Sequence, residues 1–278
     1  MPSLGLSLGL GGVRVMGPAL DPDASTWFDA VEATGATFGP DPATVATNKM
    51  AWSDWIIAQK NAESPIAGRS NWDQLTEPDE GFIQPLMGLS TFNVPPLFGG
   101  STFTGFVSGD HLPAMGLKGG TGRVLLANRD WDNTPQNDFS AGMWITEAAA
   151  TSSTNRILGQ LSTVNERGSV VILTDARTRG RFNAIEESIG LTYNTGTFPR
   201  PAFISRSASA EYDFYNEINY TISRTSHPTL AAAVSFFASD NNTNNSTVRS
   251  GLAFYGRSIN LEAMNTACIA LSEAIAWP

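Results

Sequence analysis

The sequence predicts a mostly β chain, a jelly-roll β-sandwich with a small N-terminal helical region and a C-terminal amphipathic helix, and three observations lead there. After residue 100, short β-like runs follow one another between Gly, Asn, Asp and Ser turns, the spacing of a sandwich or barrel. Between Asp21 and Leu75 the apolar residues recur at helical spacing instead. Near the C-terminus Leu261, Met264, Cys268, Leu271 and Ile275 step by 3, 4, 3 and 4, the stripe of an amphipathic helix.

Residues 3–10 alternate strictly, with Leu4, Leu6, Leu8 and Leu10 on one side and Ser or Gly on the other. A lone strand of this kind is not stable in water. Residues 1–20 therefore read as an extended arm that docks on a sister subunit or another protein, with a disordered leader as the alternative. Residues 23–31 open a first helix that Gly35 stops, and a second runs over Pro42–Asn61 with Val45, Trp52, Trp55 and Ile56 on its apolar face. Pro85, Gly88, Pro95 and Pro96 interrupt every period over 82–96, which reads as a linker or irregular covering segment. The chain thus divides into an arm (1–20), a helical region with linker (21–96) and a sandwich with its closing helix (97–278). The expected strands are 123–127, 142–146, 156–161, 169–173, 181–185, 191–194, 202–205, 212–223 with a turn near Asn216, 231–238 and 251–255, and the polar run 240–246 must be exposed. Asn260 is the expected cap of the last helix, whose stripe covers one side of the sandwich or, by its heptad spacing, forms a self-associating seam.

Charged residues make up 15% of the 278, below the roughly 25% of an average soluble domain, so the surface is rich in neutral Ser, Thr, Asn and Gly. A net charge of −9 without a basic stripe excludes groove binding to nucleic acid. The single cysteine, Cys268, allows no intrachain disulfide and no Cys-based metal site. No run approaches the length of a membrane span, and the N-terminus lacks the basic and continuous apolar regions of a signal peptide.

Candidate chemistry is sparse. His111 and His227 stand beside turn signals with no G-x-S-x-G elbow, so a Ser-His-Asp triad is not expected. Asp130, Asp132 and Asp138, and separately Glu186 and Glu187, are the densest carboxylates a glycoside hydrolase could use. The best ligand surface is Asn128, Arg129, Asp130, Trp131, Asp132 and Asn133: if Trp131 stacks on a pyranose, the flanking Asp and Asn can take its hydroxyls. The same run also fits an Asx-rich turn bonded to its own backbone. Asp130, Asp132 and Asn133 offer oxygens to a Ca²⁺ ion, without EF-hand spacing. Trp27, Trp52, Trp55 and Trp72 concentrate aromatic area in the helical region, either as anchors of an assembly interface or as a compact core shared with residues 82–106.

The stretch Gly251-Leu-Ala-Phe-Tyr255-Gly-Arg-Ser-Ile-Asn-Leu261 with its following helix resembles the C-terminal signature of LamG-like, concanavalin-type jelly-roll proteins of tailed phages and prophages. Two further stretches match in order: Leu117-Lys-Gly-Gly120 leading to Leu126-Ala-Asn128-Arg129, Pro135-Gln-Asn137 and Thr146, and the Ser-Leu-Gly-Leu leader before an Asp-rich helix with Phe28 and Val31. Tyr255-Gly-Arg257 departs from the more usual Ser-Ile-Gly, and residues 62–96 have no counterpart. The resemblance implies a virion structural protein assembled in the bacterial cytoplasm, tail-associated or fibre-like, a homotrimer in contact with other virion proteins. It would bind host-surface polysaccharide through loops 128–138 and 239–248 and carry no catalytic activity. A capsid decoration (cement) protein without glycan binding is the first alternative, and a polysaccharide depolymerase the second.

Overall fold

A computed structural model describes residues 19–147, 155–160, 170–174, 177–181, 191–192, 198–216, 218–223, 225–226, 231–238 and 245–278. Leu4, Leu6, Leu8, Leu10, Glu186, Glu187, His227, the polar run 240–244 and part of the strand expected at 181–185 lie outside these residues.

The helices start where Asp-Pro pairs make them start. In Asp21-Pro22 and Asp41-Pro42 the proline takes the first turn, where its missing N–H costs nothing, and the aspartate accepts the orphaned N–H groups behind it. Asp21 accepts from Asp23 (2.9 Å) and Ala24 (3.4 Å) and opens α1 (Pro22–Glu32). Asp41 accepts from Ala43 (2.9 Å) and Thr44 (3.0 Å) and opens α2 (Pro42–Asn61). The short α3 (Asn71–Leu75), which is not among the expected helices, is held by a reciprocal Ser70–Asp73 capping box. The Asn260 side chain accepts the Ala263 N–H at 3.1 Å and opens α4 (Leu261–Ala274).

The strands in chain order are β1 (Phe82–Pro85), β2 (Thr102–Thr104), β3 (His111–Leu112), β4 (Gly116–Lys118), β5 (Val124–Asp130), β6 (Phe139–Glu147), β7 (Asn155–Gln160), β8 (Val170–Thr174), β9 (Arg177–Arg181), β10 (Leu191–Thr192), β11 (Arg200–Arg206), β12 (Glu211–Asn216), β13 (Ile218–Ser223), β14 (Ala233–Phe236) and β15 (Arg249–Gly256). Among the described residues they form two antiparallel sheets. One runs β13-β12-β11-β6-β15-β4-β3 with β1 also on β15; the other runs β10-β9-β8-β7-β14-β5-β2. β15 is central: β6 pairs along one edge, while the other is divided between β4, at Arg249 and Ser250, and β1, from Leu252 to Tyr255. Residues 82–85, which the proline and glycine pattern places in a linker, are thus fully buried strand. Proline fits there because Pro85 is the last residue of β1.

The first sheet is apolar on both faces. Ala253 and Tyr255 of β15, Phe139, Ala141, Met143 and Ile145 of β6, and Ile204 of β11 face the second sheet, where Leu125, Trp131, Val234 and Phe236 complete the inner core. Their alternate neighbours Leu252, Phe254, Trp144 and Phe203 point the other way, into a second core beneath the helices. Gly142 on β6 makes room for that outer layer: a Cβ there would come within 2.6 Å of the Phe203 ring and 2.8 Å of the Phe254 ring.

Trp27, Trp52 and Trp55, expected as assembly anchors, are corrected here to core residues. They are 3%, 0% and 2% exposed and pack edge to face in series, with centroids 5.7 Å apart for Trp27–Trp52 and 5.8 Å for Trp52–Trp55. What the helices could not bury alone is buried by the sheet and by residues 86–98, whose Met87 and Pro95 carbonyls accept the indole N–H groups of Trp52 and Trp27. The α4 stripe likewise faces inward through Leu261, Met264, Cys268 and Leu271.

His111 is buried in β3 and donates from Nε2 to the Leu86 carbonyl at 2.9 Å. Burial, with the Arg249 charge nearby, pushes its pKa from 6.5 down to about 4, against the pull of that hydrogen bond. The unfolded chain therefore takes up this proton first as the pH falls. Stability from this group is complete above about 6.5 and is lost as the pH drops toward 4, by at most about 1.4 kcal/mol per pH unit. Urea unfolding at pH 7 and pH 5 checks it: the loss of stability between the two should be smaller in His111→Gln than in the native chain, and equal losses would refute it.

Candidate functional site

The run Asn128 to Asn133 ends β5 and turns. Trp131 is 1% exposed, its ring edge to face against Tyr255 (centroids 5.1 Å apart) and its indole N–H directed to the Gly159 carbonyl at 3.3 Å. The Trp131 sugar platform is therefore corrected to a core residue, because a ring inside the sandwich cannot stack on a saccharide. Asn133 Oδ1 accepts the Asp130 N–H at 2.7 Å and the Asn133 N–H returns to the Asp130 carbonyl at 3.1 Å, so the amide is spent on its own turn. Asn128 is left-handed (φ 48°) and accepts the Thr102 hydroxyl at 2.9 Å, and Arg129 reaches back to the Asn128 carbonyl at 3.2 Å. Asp130 and Asp132 are exposed, and among the described residues no cluster of His, Cys, Asp or Glu side chains able to hold a metal includes them.

Asp138 is not grouped with those two carboxylates either. One of its oxygens accepts the Ser258 N–H (3.0 Å) and hydroxyl (2.6 Å), while the other faces Arg257 at 3.8 Å. Arg257 is itself held by Glu80 through two bonds of 2.7 and 2.9 Å. These residues brace the passage from β15 into α4.

A different aromatic residue reaches the surface. The α2–α3 connection folds back on itself: Asn71 N–H donates to the Ala62 carbonyl (2.8 Å) and Ser64 N–H to the Arg69 carbonyl (2.9 Å), with Gly68 at φ +76° in the bend. The buried Asn71 side chain then ties α3 inward. Its Nδ2 donates to Gln59 Oε1 and to the Asn260 carbonyl, both at 3.1 Å, and its Oδ1 accepts the Asn260 N–H at 2.8 Å. Because Asn71 is fixed inward, its neighbour Trp72 projects sideways and is half-buried.

Trp72 and Asp23 are shared by two depressions. One, of about 590 Å³, is polar and is lined by Lys60, Asn61, Glu63, Arg69, Ser70 and Asp73. The other, of about 360 Å³, is more apolar, with Thr26, Trp27, Ala30, Thr76, Leu97 and Phe98 in its wall. Lys60 Nζ bonds both Asp21 oxygens (2.8 and 2.9 Å) and Asp23 (2.7 Å) and lies 5.4 Å from the centre of the Trp72 ring. Burial alone would raise the Asp21 pKa and lower that of Lys60, but their hydrogen bonds outweigh it, so both are held in their charged forms. The Ser70 N–H and hydroxyl hold the Asp73 carboxyl below its ordinary range.

Three carboxylates, two cations, an amide and a hydroxyl thus line the polar cleft together with Trp72. Clefts of this size take small ligands. An aromatic surface for the C–H face of a sugar, with carboxylate and amide groups for its hydroxyls, is what this arrangement offers. The sequence signal was the Ser70-x-x-Asp73 capping pattern, which puts Trp72 on the second residue of a short helix beside a polar loop.

No protein-family model matches the chain, and no curated protein matches it in sequence. Solved structures do match. A Trypanosoma rangeli sialidase in complex with sialic acid aligns with a TM-score of 0.50 at 12% identity, over 83% of this chain and 38% of that one. A mutant of that sialidase with trans-sialidase activity aligns at 0.49 and 12%, over 84% and 38%. The binding domain of botulinum neurotoxin serotype D aligns at 0.47 and 8%, over 69% and 51%. The chain spans under two fifths of the sialidase chains it matches. The expectation of no catalytic activity is corrected by this likeness: an enzyme, a sialidase, is among the structures that share the fold, so the fold gives no ground for excluding catalysis. What the likeness shows of the chain itself is its architecture, a β-sandwich with helices packed on one sheet.

Proposed function

We propose that this chain is a virion protein of a tailed bacteriophage that attaches the particle to a host-surface polysaccharide through the Trp72 cleft of its helical layer. The half-buried Trp72 ring between two depressions, with Asp23, Asn61, Glu63 and Arg69 around it, carries the reading. The likeness of residues 251–261 and of the Ser-Leu-Gly-Leu leader to LamG-like phage proteins supports the setting. The sialidase with a similar fold is in complex with sialic acid, which supports a carbohydrate as the class of ligand. In this chain the polar cleft sets three carboxylates against two cations, which favours a neutral or amino-sugar polymer over an acidic one. Three copies are the expected assembly, as in other phage appendages, low in number and located at the tail.

The test is binding of the purified chain to bacterial polysaccharides, neutral and acidic, with release of sugar fragments followed in the same samples. Trp72→Ala should weaken binding to the captured neutral polymer at least about ten-fold, the equivalent of roughly 1.4 kcal/mol, while the protein stays folded. Equal binding by Trp72→Ala, or capture of acidic polymers alone, sinks the reading of this cleft. Head-wide location in purified particles would instead make this a decoration protein.

A further inference from the structure

We infer that the apolar groove at the start of α2 is the seat of this chain's own leader, the residues that precede Ala19. The groove measures about 670 Å³ and is walled by Leu20, Pro40, Pro42, Val45, Ala46 and Met50. Its two charged side chains are committed elsewhere. The Asp41 carboxylate caps α2 through Ala43, Thr44 and the Thr44 hydroxyl. Lys49 pairs with Glu32 at 2.6 Å and lies 5.4 and 5.5 Å from the Phe28 and Phe38 rings. What remains is an apolar trough with no polar group left to select a polar ligand.

The place where the leader meets the fold is fixed. The Asp21 N–H donates to Ser53 Oγ at 2.8 Å and its carboxylate holds Lys60, so Leu20 is pinned in the groove wall. The residues just before it carry Val13, Val15 and Met16, and beyond them the Leu4–Leu10 alternation. From Leu20, Val13 is within roughly 25 Å of extended chain and Leu10 within roughly 35 Å. The period of two that aligns Val13 with Val15 turns Arg14 to the opposite side. An apolar sequence that needs a surface and an apolar groove that needs a cover therefore lie next to one another in one chain, at high effective concentration.

Arg14 provides the readout, since it is the first Lys or Arg of the chain and the next is Lys49. In the full chain, trypsin should cut after Arg14 slowly. Ala46→Glu, an exposed α2 position taking a good helix former, should speed that cut at least about ten-fold. A second variant pairs Val13→Cys with Ala46→Cys under a bismaleimide; Cys268 stays silent because it is fully buried. Crosslinked product running as a single chain is expected. Equal cleavage of the native and Ala46→Glu chains, or product only at twice the chain mass, which would seat the leader on a second copy, overturns the inference.

Discussion

Trp131→Ala is expected to cost about 3–5 kcal/mol of stability, the largest effect of any substitution considered for the two candidate surfaces. The ring is enclosed between the sheets, edge to face with Tyr255 and Phe139, and its N–H serves the Gly159 carbonyl. Removing it opens a cavity and takes one donor from the Gly159 carbonyl, which the Ser235 hydroxyl still serves at 2.9 Å. The Tyr255 hydroxyl, bonded to Thr134 Oγ1 at 2.6 Å and the Trp131 carbonyl at 3.1 Å, loses the wall that holds it in place. Urea unfolding measures this, and a loss under about 1 kcal/mol would mean that the ring is not in the core. The contrast with Trp72→Ala is diagnostic: one tryptophan should report on folding, the other on ligand.

Asp138→Ala should cost about 2–4 kcal/mol, built mainly from the Ser258 N–H and hydroxyl left without their acceptor inside the protein, at roughly 1–3 kcal/mol each. Ser258 is 0% exposed, so water does not replace the carboxylate freely. The exposed pair Asp130→Ala and Asp132→Ala should stay within about 0.5 kcal/mol of the native chain. Thermal melts of the single and paired variants separate the cases, and a melt of Asp138→Ala that overlays the native one would refute the bracing role. A joint replacement of all three aspartates could not test polysaccharide cleavage, because lost activity would then report a loosened β15–α4 passage rather than missing chemistry.

Elements that carry their own signal were legible in the sequence. Asp-Pro and the Val45, Trp52, Trp55 and Ile56 face give α2 its observed bounds, and the α4 stripe with its Asn260 cap reads directly. Most of the longer strands fall near their predicted runs because each alternates or is apolar throughout. Short elements were missed for a physical reason: β1, β3 and β4 are two to four residues long and exist because β15 and one another offer backbone partners, which no local pattern encodes. The site failed for a related reason. Asp130-Trp131-Asp132 and Asn71-Trp72-Asp73 look alike in sequence, each a Trp flanked by polar residues, and the next layer of structure alone decides which ring is covered. Trp131 meets the opposite sheet, whereas Trp72 meets solvent because Asn71 has taken the inward position.

The division of β15 between three partners bears on how the chain reaches its fold. Among the described residues the strand with the most neighbours is also the last in chain order, and it must find β1 at Phe82, β4 at Leu117 and β6 at Gly142, all far back in the chain. Until then β1 and the β3–β4 pair have no sheet to join and β6 lacks one of its two neighbours. Such contacts demand the closure of very long loops before they are rewarded, which places folding on the slow side of the millisecond-to-second range of β-sandwiches. During synthesis the first sheet would wait as three unjoined pieces, β13-β12-β11-β6, β4-β3 and β1, and the arrival of residues 249–256 would be the step that commits the whole molecule.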